Sequence, residues 1–416
     1  MAAPSIGELP REQLRVLFLM LVYPDVAQDQ SMYTDLVQEL FRCGCDVRVV
    51  CPVGKGTRPG LRSEGGIPVL RVRTGPLFGV GLLRKGWSNL RLSAQFGRAI
   101  ANSFGHWRPQ WLVISTPPIT LTPLVARLKR RWGSKAYLIL RDIFPQNAID
   151  LGILRAGVIS RYFRRLERQT YAMSDVIGCM SPGNCNYLVR RNPGLALGKL
   201  QLFPNWMSSD GDSRLDRNTA RRTLGFDGEF VCLFGGNLGR PQRVDFLLDV
   251  AEAVGPGAQV RFLVVGNGTE RERIEHEIVR RQLGHVTIMP WCDRKKYAQV
   301  LAAVDLGLIL LHESFTIPNI PSRLLSYWKA GLPVLAATDQ YTDLGESFLH
   351  RHEAGLSVAM GDIAGCAVVI RAMRDDPSEG RRMGLNGRKA FEEHYTSGHS
   401  ASRLFSQMAS ADQCRP

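Results

Sequence analysis

The nine cysteines, Cys43, Cys45, Cys51, Cys179, Cys185, Cys232, Cys292, Cys366 and Cys414, are scattered, odd in number and contain no C-x-x-C pair, which argues against a zinc ribbon or a thioredoxin-type centre. Most of them sit in apolar runs, where a reduced buried thiol is expected, as in a reducing cytosol. The eight histidines include no pair spaced H-x-x-x-H, so nothing calls for a metal held by histidine. The opening MAAPSIGELPREQLR lacks the apolar centre of a signal peptide. The longest apolar stretches, such as Val16 to Tyr23, are under half a bilayer span, so a soluble chain is expected, free to lie on a membrane. Repeats and low-complexity segments are lacking. Acidic residues are also scarce: 38 Asp and Glu against 53 Lys and Arg leave a net charge of +15. That excess favours nucleic acid, phosphorylated small molecules or an acidic lipid surface, and composition does not choose among them.

The 416 residues suffice for two or three domains at about 150 residues each. A hydrophobic share of 44% with 22% charged residues is that of an ordinary globular protein. Short apolar runs alternate with amphipathic segments throughout. RVLFLMLVYP (from Arg15), CDVRVVCP, WLVISTPPI (from Trp111), AYLILRDIFP (from Ala136) and DVIGCMSPG read as buried parallel strands. MYTDLVQELFRCG, LTPLVARLKRRWG and RYFRRLERQTYAMSD read as the helices between them. A polar stretch beginning near Trp206 marks a domain boundary, after which the pattern restarts. FVCLFGGN, VRFLVVGNG, VTIMPW, LGLILL and LPVLAATD are strands, with a helix over 244–254 and a last helix over 386–408. The expected fold class is α/β, two Rossmann-like domains facing a cleft, with ligands at the carboxyl ends of the strands.

Three loops of the second half carry chemistry. In FGGNLGRPQR, Gly235, Gly236 and Gly239 let backbone N–H groups approach an oxyanion, and Arg240 adds a fork of donors suited to a diphosphate. It is neither a G-K-[ST] phosphate loop nor a G-x-G-x-x-G fingerprint, and a plain tight turn is the alternative. In VVGNGTERE, Gly266 and Gly268 end a strand. Trp291 follows the next strand, where main-chain groups can read a base edge, or else it is a core aromatic. In ESFTIPNIPSRLLSYWKAGLPVLAATD (from Glu313), Ser322 is placed as an N-cap beside a phosphate, and Arg323 in the first turn makes sense if an anion is present. Its alternative is an arginine pointing to water. In the first half, Asp142 ends a strand facing the cleft, as a base or hydrogen-bond acceptor toward a hydroxyl, or simply paired with Arg141. Basic clusters at Arg84-Lys85, Lys129 to Arg131, RYFRRLERQ and Arg190-Arg191, interspersed with Trp87, Trp132, Tyr162 and Phe163, suit either an anionic membrane surface or solvated helix faces. No nucleic-acid recognition motif accompanies them.

Taken in order, GGNLGRPQ, VVGNGTERE, PSRLLSYWKAGLPVLAATD and NGRKAFEEHYT resemble glycosyltransferase family 4. STPPI, RDIFPQNAIDLGIL and FPNW are similar to segments of its bacterial capsule and O-antigen members. The resemblance implies a GT-B fold: an acceptor-binding domain over 1–205, a nucleotide-sugar-binding domain over 206–385, and a C-terminal helix over 386–416 crossing back to the first domain. It implies a metal-independent, usually retaining enzyme without a cofactor, using a UDP- or GDP-sugar as co-substrate. The acceptor would be a lipid-diphosphate-linked saccharide at the inner face of the cytoplasmic membrane, in cell-surface polysaccharide biosynthesis. Carried over, Arg240 neutralises the donor diphosphate, Gly235, Gly236 and Asn237 lie against the sugar-phosphate, Trp291 and its neighbours lie against the base, Ser322 and Arg323 lie beside the phosphates, and Gln242, Gly266, Gly268, Pro321 and Ser326 line the same donor site. Asp142 occupies the acceptor side.

The chain departs from the family in two places. Gln242 and Arg243 stand where many members carry a lysine, and Arg243 could supply that charge. The two glutamates of Glu-x7-Glu fall on Pro318 and Ser326. Either an inserted loop returns Glu313 to the sugar, or Ser326 holds the ribose by one hydrogen bond. Two other classes stay open: a UDP-sugar epimerase of the same architecture, and a basic nucleotide- or lipid-binding module without catalysis.

Overall fold

The computed structural model describes residues 13–25, 30–54, 56–77, 81–155, 157–210, 216–226 and 228–413. The opening segment, the side chains of Arg84 and Lys85, and Cys414 lie outside the described residues.

Among the described residues, fourteen strands form two sheets. The first holds β1 (Arg15–Leu19), β2 (Asp46–Pro52), β3 (Gly60–Glu64), β4 (Ile67–Val72), β5 (Trp111–Ser115), β6 (Lys135–Leu140), β7 (Val176–Cys179) and β8 (Leu200–Leu202). Their order is β3-β4-β2-β1-β5-β6-β7-β8, parallel except for the β3–β4 pair. The second holds β9 (Phe230–Gly235), β10 (Val260–Val265), β11 (Val286–Met289), β12 (Leu306–Leu310), β13 (Val334–Thr338) and β14 (Gly355–Ala359), all parallel, ordered β11-β10-β9-β12-β13-β14.

The apolar runs are continuous because helices cover both faces of each sheet. In β1, Leu17 and Leu19 turn to a core shared with Phe96, Ile100 and Leu124, while Val16 and Phe18 turn to one shared with Leu36, Val37 and Leu40. Helix Met32–Arg42 is started by Ser31, whose Oγ accepts from the Thr34 amide at 3.2 Å while Thr34 Oγ1 accepts from the Ser31 amide at 2.7 Å. Such reciprocal bonds satisfy two donors that a helix start leaves open.

Chain order reverses between β9 and β12 in one sheet and between β1 and β5 in the other. At such a switch point, the loops leaving the two strands diverge and open a crevice at the carboxyl edge. In the second sheet these are the loops starting at Gly236 and at Leu311, which puts the Gly-rich turn and the Glu313 segment side by side.

The terminal helix expected over 386–408 is divided. One helix spans Pro377–His394 and a second spans Ser397–Gln413. The break is made by the linker: the Met207 amide donates to the Tyr395 carbonyl at 3.1 Å, and the Ser397 amide donates to the Met207 carbonyl at 2.9 Å. The second of these helices lays Ala401, Leu404 and Met408, all fully buried, into the core around Leu36 and Leu40 of the first domain. Burying a Leu or Met side chain contributes about 1.5–3 kcal/mol, so this packing holds the helix on the first domain.

The domains meet through a strap formed by residues 315–320. Phe315 and Ile317 enter the first domain's core cluster. Asp150 accepts from the Thr316 amide at 2.8 Å and from its hydroxyl at 3.0 Å. Asn184 Nδ2 donates to the Pro318 carbonyl at 3.0 Å, and Asn205 Nδ2 donates to the Ile320 carbonyl at 2.8 Å. Asp343 accepts from Ser181 Oγ at 2.6 Å and from the Gly183 amide at 2.8 Å.

Candidate active site

The Gly-rich turn after β9 is fixed from beneath. Tyr327 Oη, fully buried, accepts from the Gly235 amide at 3.0 Å and points at the carbonyls of Leu233 and Leu308. Gly236 has φ +133°, which a side chain rarely adopts. The Gly236–Leu238 backbone packs directly on the loop after β10: the Leu238 amide donates to the Asn267 carbonyl at 2.9 Å, and a Cβ on Gly266 would fall 1.8 Å from the Gly236 carbonyl oxygen. The two loops named in the sequence are therefore one structure, with Gly268 pressed against Leu238 in the same way. No helix opens at Gly268, because the next one begins at Arg271. Arg271 Nη1 instead binds the Gly266 carbonyl at 2.9 Å and Asn267 Oδ1 at 3.0 Å, tying the loop to its own helix.

Arg323 lies at the centre. It does not point to water: its guanidinium rests 4.4 Å over the Phe234 ring, its Nη2 donates to Gln242 Oε1, and its Nη1 is buried without a hydrogen-bond partner. A Cβ on Gly236 would touch its Cζ at 3.2 Å. Burial pushes its pKa below the usual guanidinium value, with Tyr327 and Tyr297 opposing the shift. A desolvated cation with one open donor beside a glycine turn is matched to an anion.

Arg240 is exposed, and its guanidinium has no partner among the described residues. It lines a groove of about 500 Å3 with Asp150, Arg243, Glu270, Arg273 and His312. The other two arginines of that groove are committed: Arg273 to Glu270 at 2.8 Å, and Arg243 to Glu313 and, at 3.3 Å, to Asp245. Arg243 therefore does not replace the family's lysine as a free charge. Glu313 sits at the rim beside His312, whose amide donates to the Pro241 carbonyl at 3.2 Å.

The cap expected at Ser322 requires correction, and the other residues take the following places. Ser322 precedes the seven-residue helix Arg323–Lys329, but it has helical backbone angles and its hydroxyl makes no cap bond. The Ser326 hydroxyl donates to the Met207 sulfur at 4.0 Å. Pro321 supplies a carbonyl to the Leu324 amide at 3.2 Å. Trp291 is not core: it is 63% exposed after β11, and its amide points at Asn267 Oδ1 at 3.5 Å. Asn237 is exposed next to Gly236. Asp142 forms no ion pair with Arg141 among the described residues. Burial raises its pKa, and Arg141 counters this. The Arg141 guanidinium lies 5.7 Å over Trp206, with a buried Nη1 left unpaired. The groove beside Arg240 is faced from the first domain by Asp150 and Leu151, not by Asp142. A second hollow of about 770 Å3 opens at the carboxyl ends of β1, β2 and β4, with Arg58, Arg73, Thr57 and Thr74 on its walls. No three His, Cys, Asp or Glu side chains cluster as a metal-ligand set among the described residues.

Two facing α/β domains with their crevices at the switch points define the GT-B fold. The chain belongs to glycosyltransferase family 4. Residues 31–206 match the family described as "Glycosyl transferase 4-like domain", and residues 229–376 match "Glycosyl transferases group 1". The chain is 23% identical over 232 residues to the probable glycosyltransferase WbjE of Pseudomonas aeruginosa, 55% of this chain and 57% of that protein. It is 32% identical over 78 residues to the UDP-glycosyltransferase TURAN of Arabidopsis thaliana, 18% of this chain and 17% of that protein. The matches thus span about half or less of these curated relatives. Sucrose-phosphate synthase of Thermosynechococcus elongatus superposes with a TM-score of 0.76 at 18% identity, over 96% of this chain and 100% of that one. Anabaena HepE in complex with UDP and glucose superposes at 0.70 with 16% identity, again over 96% and 100%.

Proposed function

We propose that this protein transfers a sugar from a UDP- or GDP-sugar to a lipid-linked saccharide in cell-surface polysaccharide biosynthesis, at the inner face of the cytoplasmic membrane, with retention and without a metal. This reading rests on Arg323, a buried guanidinium with an open donor held against the Gly236 turn. The diphosphate lies between Arg323 and the unpaired Arg240, across Gly235, Gly236 and Asn237. The base extends past Gly266 and Gly268 toward Trp291. HepE, described with UDP and with UDP-glucose, and the Escherichia coli structure bound with UDP-2-fluoro glucose share the fold and make a uridine diphosphate donor the first to try.

As the anomeric C–O bond breaks, negative charge grows on the diphosphate and positive charge on the sugar. The two guanidiniums stabilise the first, and Arg323, held on Phe234, does so without reorganising. The second favours attack from the same face, with the acceptor hydroxyl beside the leaving oxygen. Asp142, held mostly desolvated on the first domain, positions that hydroxyl. Glu313 acts through Arg243, fixing it at the rim rather than touching the sugar. The first-domain hollow walled by Arg58 and Arg73 receives an anionic part of the acceptor. The strap closes the domains and limits loss of donor to water.

The test combines the full chain with UDP- and GDP-sugars and a membrane lipid extract, with and without EDTA. Radiolabel should enter the lipid phase at the same rate in both. Isomerised donor formed in the absence of acceptor would replace this reading with the epimerase, and strong EDTA inhibition would overturn the metal-free scheme. UDP or GDP at 100 times its dissociation constant should stabilise the fold by about 2.7 kcal/mol, read as a rise in Tm.

A further inference from the structure

The net charge is carried by one domain. Residues 1–205 hold 28 Lys and Arg against 12 Asp and Glu, whereas residues 206–416 hold 25 against 26. The second domain's arginines are largely paired, among them Arg217, Arg261, Arg281 and Arg382 with nearby carboxylates. On the first domain, helix Val158–Met173 differs. Its one acidic residue, Glu167, is buried and bound by Arg164 at 3.0 Å. Arg155, Arg161 and Arg165 are exposed and have no acidic partner among the described residues.

The same helix start exposes apolar side chains. Val158 is 75% exposed, Ile159 63% and Tyr162 47%, with Ile153 just before them at 51%. Grouped apolar side chains left in water beside a collar of unpaired cations mark an interaction surface rather than scattered exposure. Tyr162 packs edge-on to Phe163 at 5.4 Å, and Phe163 packs on Phe144 at 5.0 Å, two residues from Asp142. The patch is thus coupled by ring contacts to the acceptor side of the cleft. Helix Leu82–Ser103 adds exposed Trp87 and Leu90, with the Arg91 guanidinium 4.7 Å over the Trp87 ring. Both helices run back from parallel strands, so both begin at the carboxyl edge of the sheet, where the cleft opens.

We infer that this rim docks the first domain on an anionic bilayer, with Val158, Ile159 and Tyr162 entering the interface and Arg155, Arg161 and Arg165 meeting lipid phosphates. Apolar side chains combined with basic ones distinguish a lipid surface from nucleic acid, which would engage the arginines and leave the aliphatic groups idle. The inference rests on the proposed lipid-linked acceptor and assigns where the enzyme meets it: docking by this rim holds the mouth of the cleft against the leaflet that carries the substrate.

Flotation of the full chain with phosphatidylcholine vesicles, with and without phosphatidylglycerol, tests it. Binding is expected only to the anionic vesicles, with release at high salt. The double variant Val158→Ser, Ile159→Ser and the double variant Arg161→Glu, Arg165→Glu should each weaken binding by about tenfold or more, with unchanged circular dichroism and an unchanged rise in Tm on adding UDP or GDP. Equal binding to both vesicle types, or apolar variants that float like the parent chain, would overturn the docking surface. If only the arginine variants lose binding, and the ligand they lose is single-stranded RNA, the surface serves nucleic acid. Loss of the nucleotide-induced Tm rise in the parent chain would instead overturn the donor-site reading, leaving the vesicle result to stand by itself.

Discussion

Arg240 and Arg323 flank the Gly-rich turn in opposite states: one is exposed and lines the groove, the other is stacked on Phe234 and held against Gly236. Replacing Arg240 by Ala removes a charge-assisted contact without disturbing the fold. Turnover is expected to fall on the order of 100-fold or more, with Tm unchanged and the nucleotide-induced Tm rise reduced. Gly266→Ala acts through backbone. Its Cβ would overlap the Gly236 carbonyl at 1.8 Å, so the two loops must separate. A loss of stability at or above about 1–3 kcal/mol is expected, together with weaker nucleotide binding; a variant as stable as the parent would contradict the loop contact. The neighbourhood of these residues was legible in the sequence, because the loops and helix start that carry them follow strands of an open parallel sheet. Phe315 and Ile317 were not, because an apolar residue in a loop reveals nothing of the distant core it enters. Ser322 was misread because an N-cap composition does not ensure cap geometry: its backbone is already helical.

Among the elements, the helix over Val244–Val254 coincides with its expected span, since its apolar period is bounded by a turn at Arg243 and by Gly255. Strands β3, β4, β8 and β14 escaped notice: β3 is a polar edge strand, β4 follows it after a two-residue turn, β8 has three residues, and β14 lies in a half-buried edge segment whose pairing with β13 is a tertiary fact. The division of the terminal helix escaped for the same reason, because the apolar period runs through Tyr395 and the interruption comes from Met207. Near that break, His352 Nε2 lies 3.1 Å from Tyr395 Oη and its ring packs edge-on to Trp328 at 5.5 Å. Burial, then the nearby His394 and Arg351, hold its pKa below the ordinary 6.5. A base whose folded pKa is lowered contributes stability that is full above the unfolded value and lost as pH falls through the folded one. Tm should therefore decline from about pH 7 to about pH 5, and His352→Gln should flatten that decline. An unchanged slope would remove His352 as its source.

Over the whole molecule, two sheets and their facing cleft could be anticipated from alternating runs, whereas their mutual placement depends on the strap and on single polar contacts. Asp150 accepts both the amide and the hydroxyl of Thr316 across the cleft. Hydrogen bonds to a charged group contribute about 1.5–3 kcal/mol, so Asp150→Ala should raise the open population by about tenfold or more. Small-angle scattering of the unliganded variant should give a larger radius of gyration, and its ratio of donor hydrolysis to transfer should rise. An unchanged radius would show that Phe315 and Ile317 alone hold the domains. The chain also passes between domains at two neighbouring points, 205–208 and 394–397, bonded to each other through Met207. A single tether lets one body swivel freely about another, but two parallel tethers joined side by side suppress torsion and leave mainly a swing about one axis. Cutting the polypeptide after His394 would therefore cost more than a helix: it would restore the forbidden twist and let the crevice lose its alignment with the opposite wall.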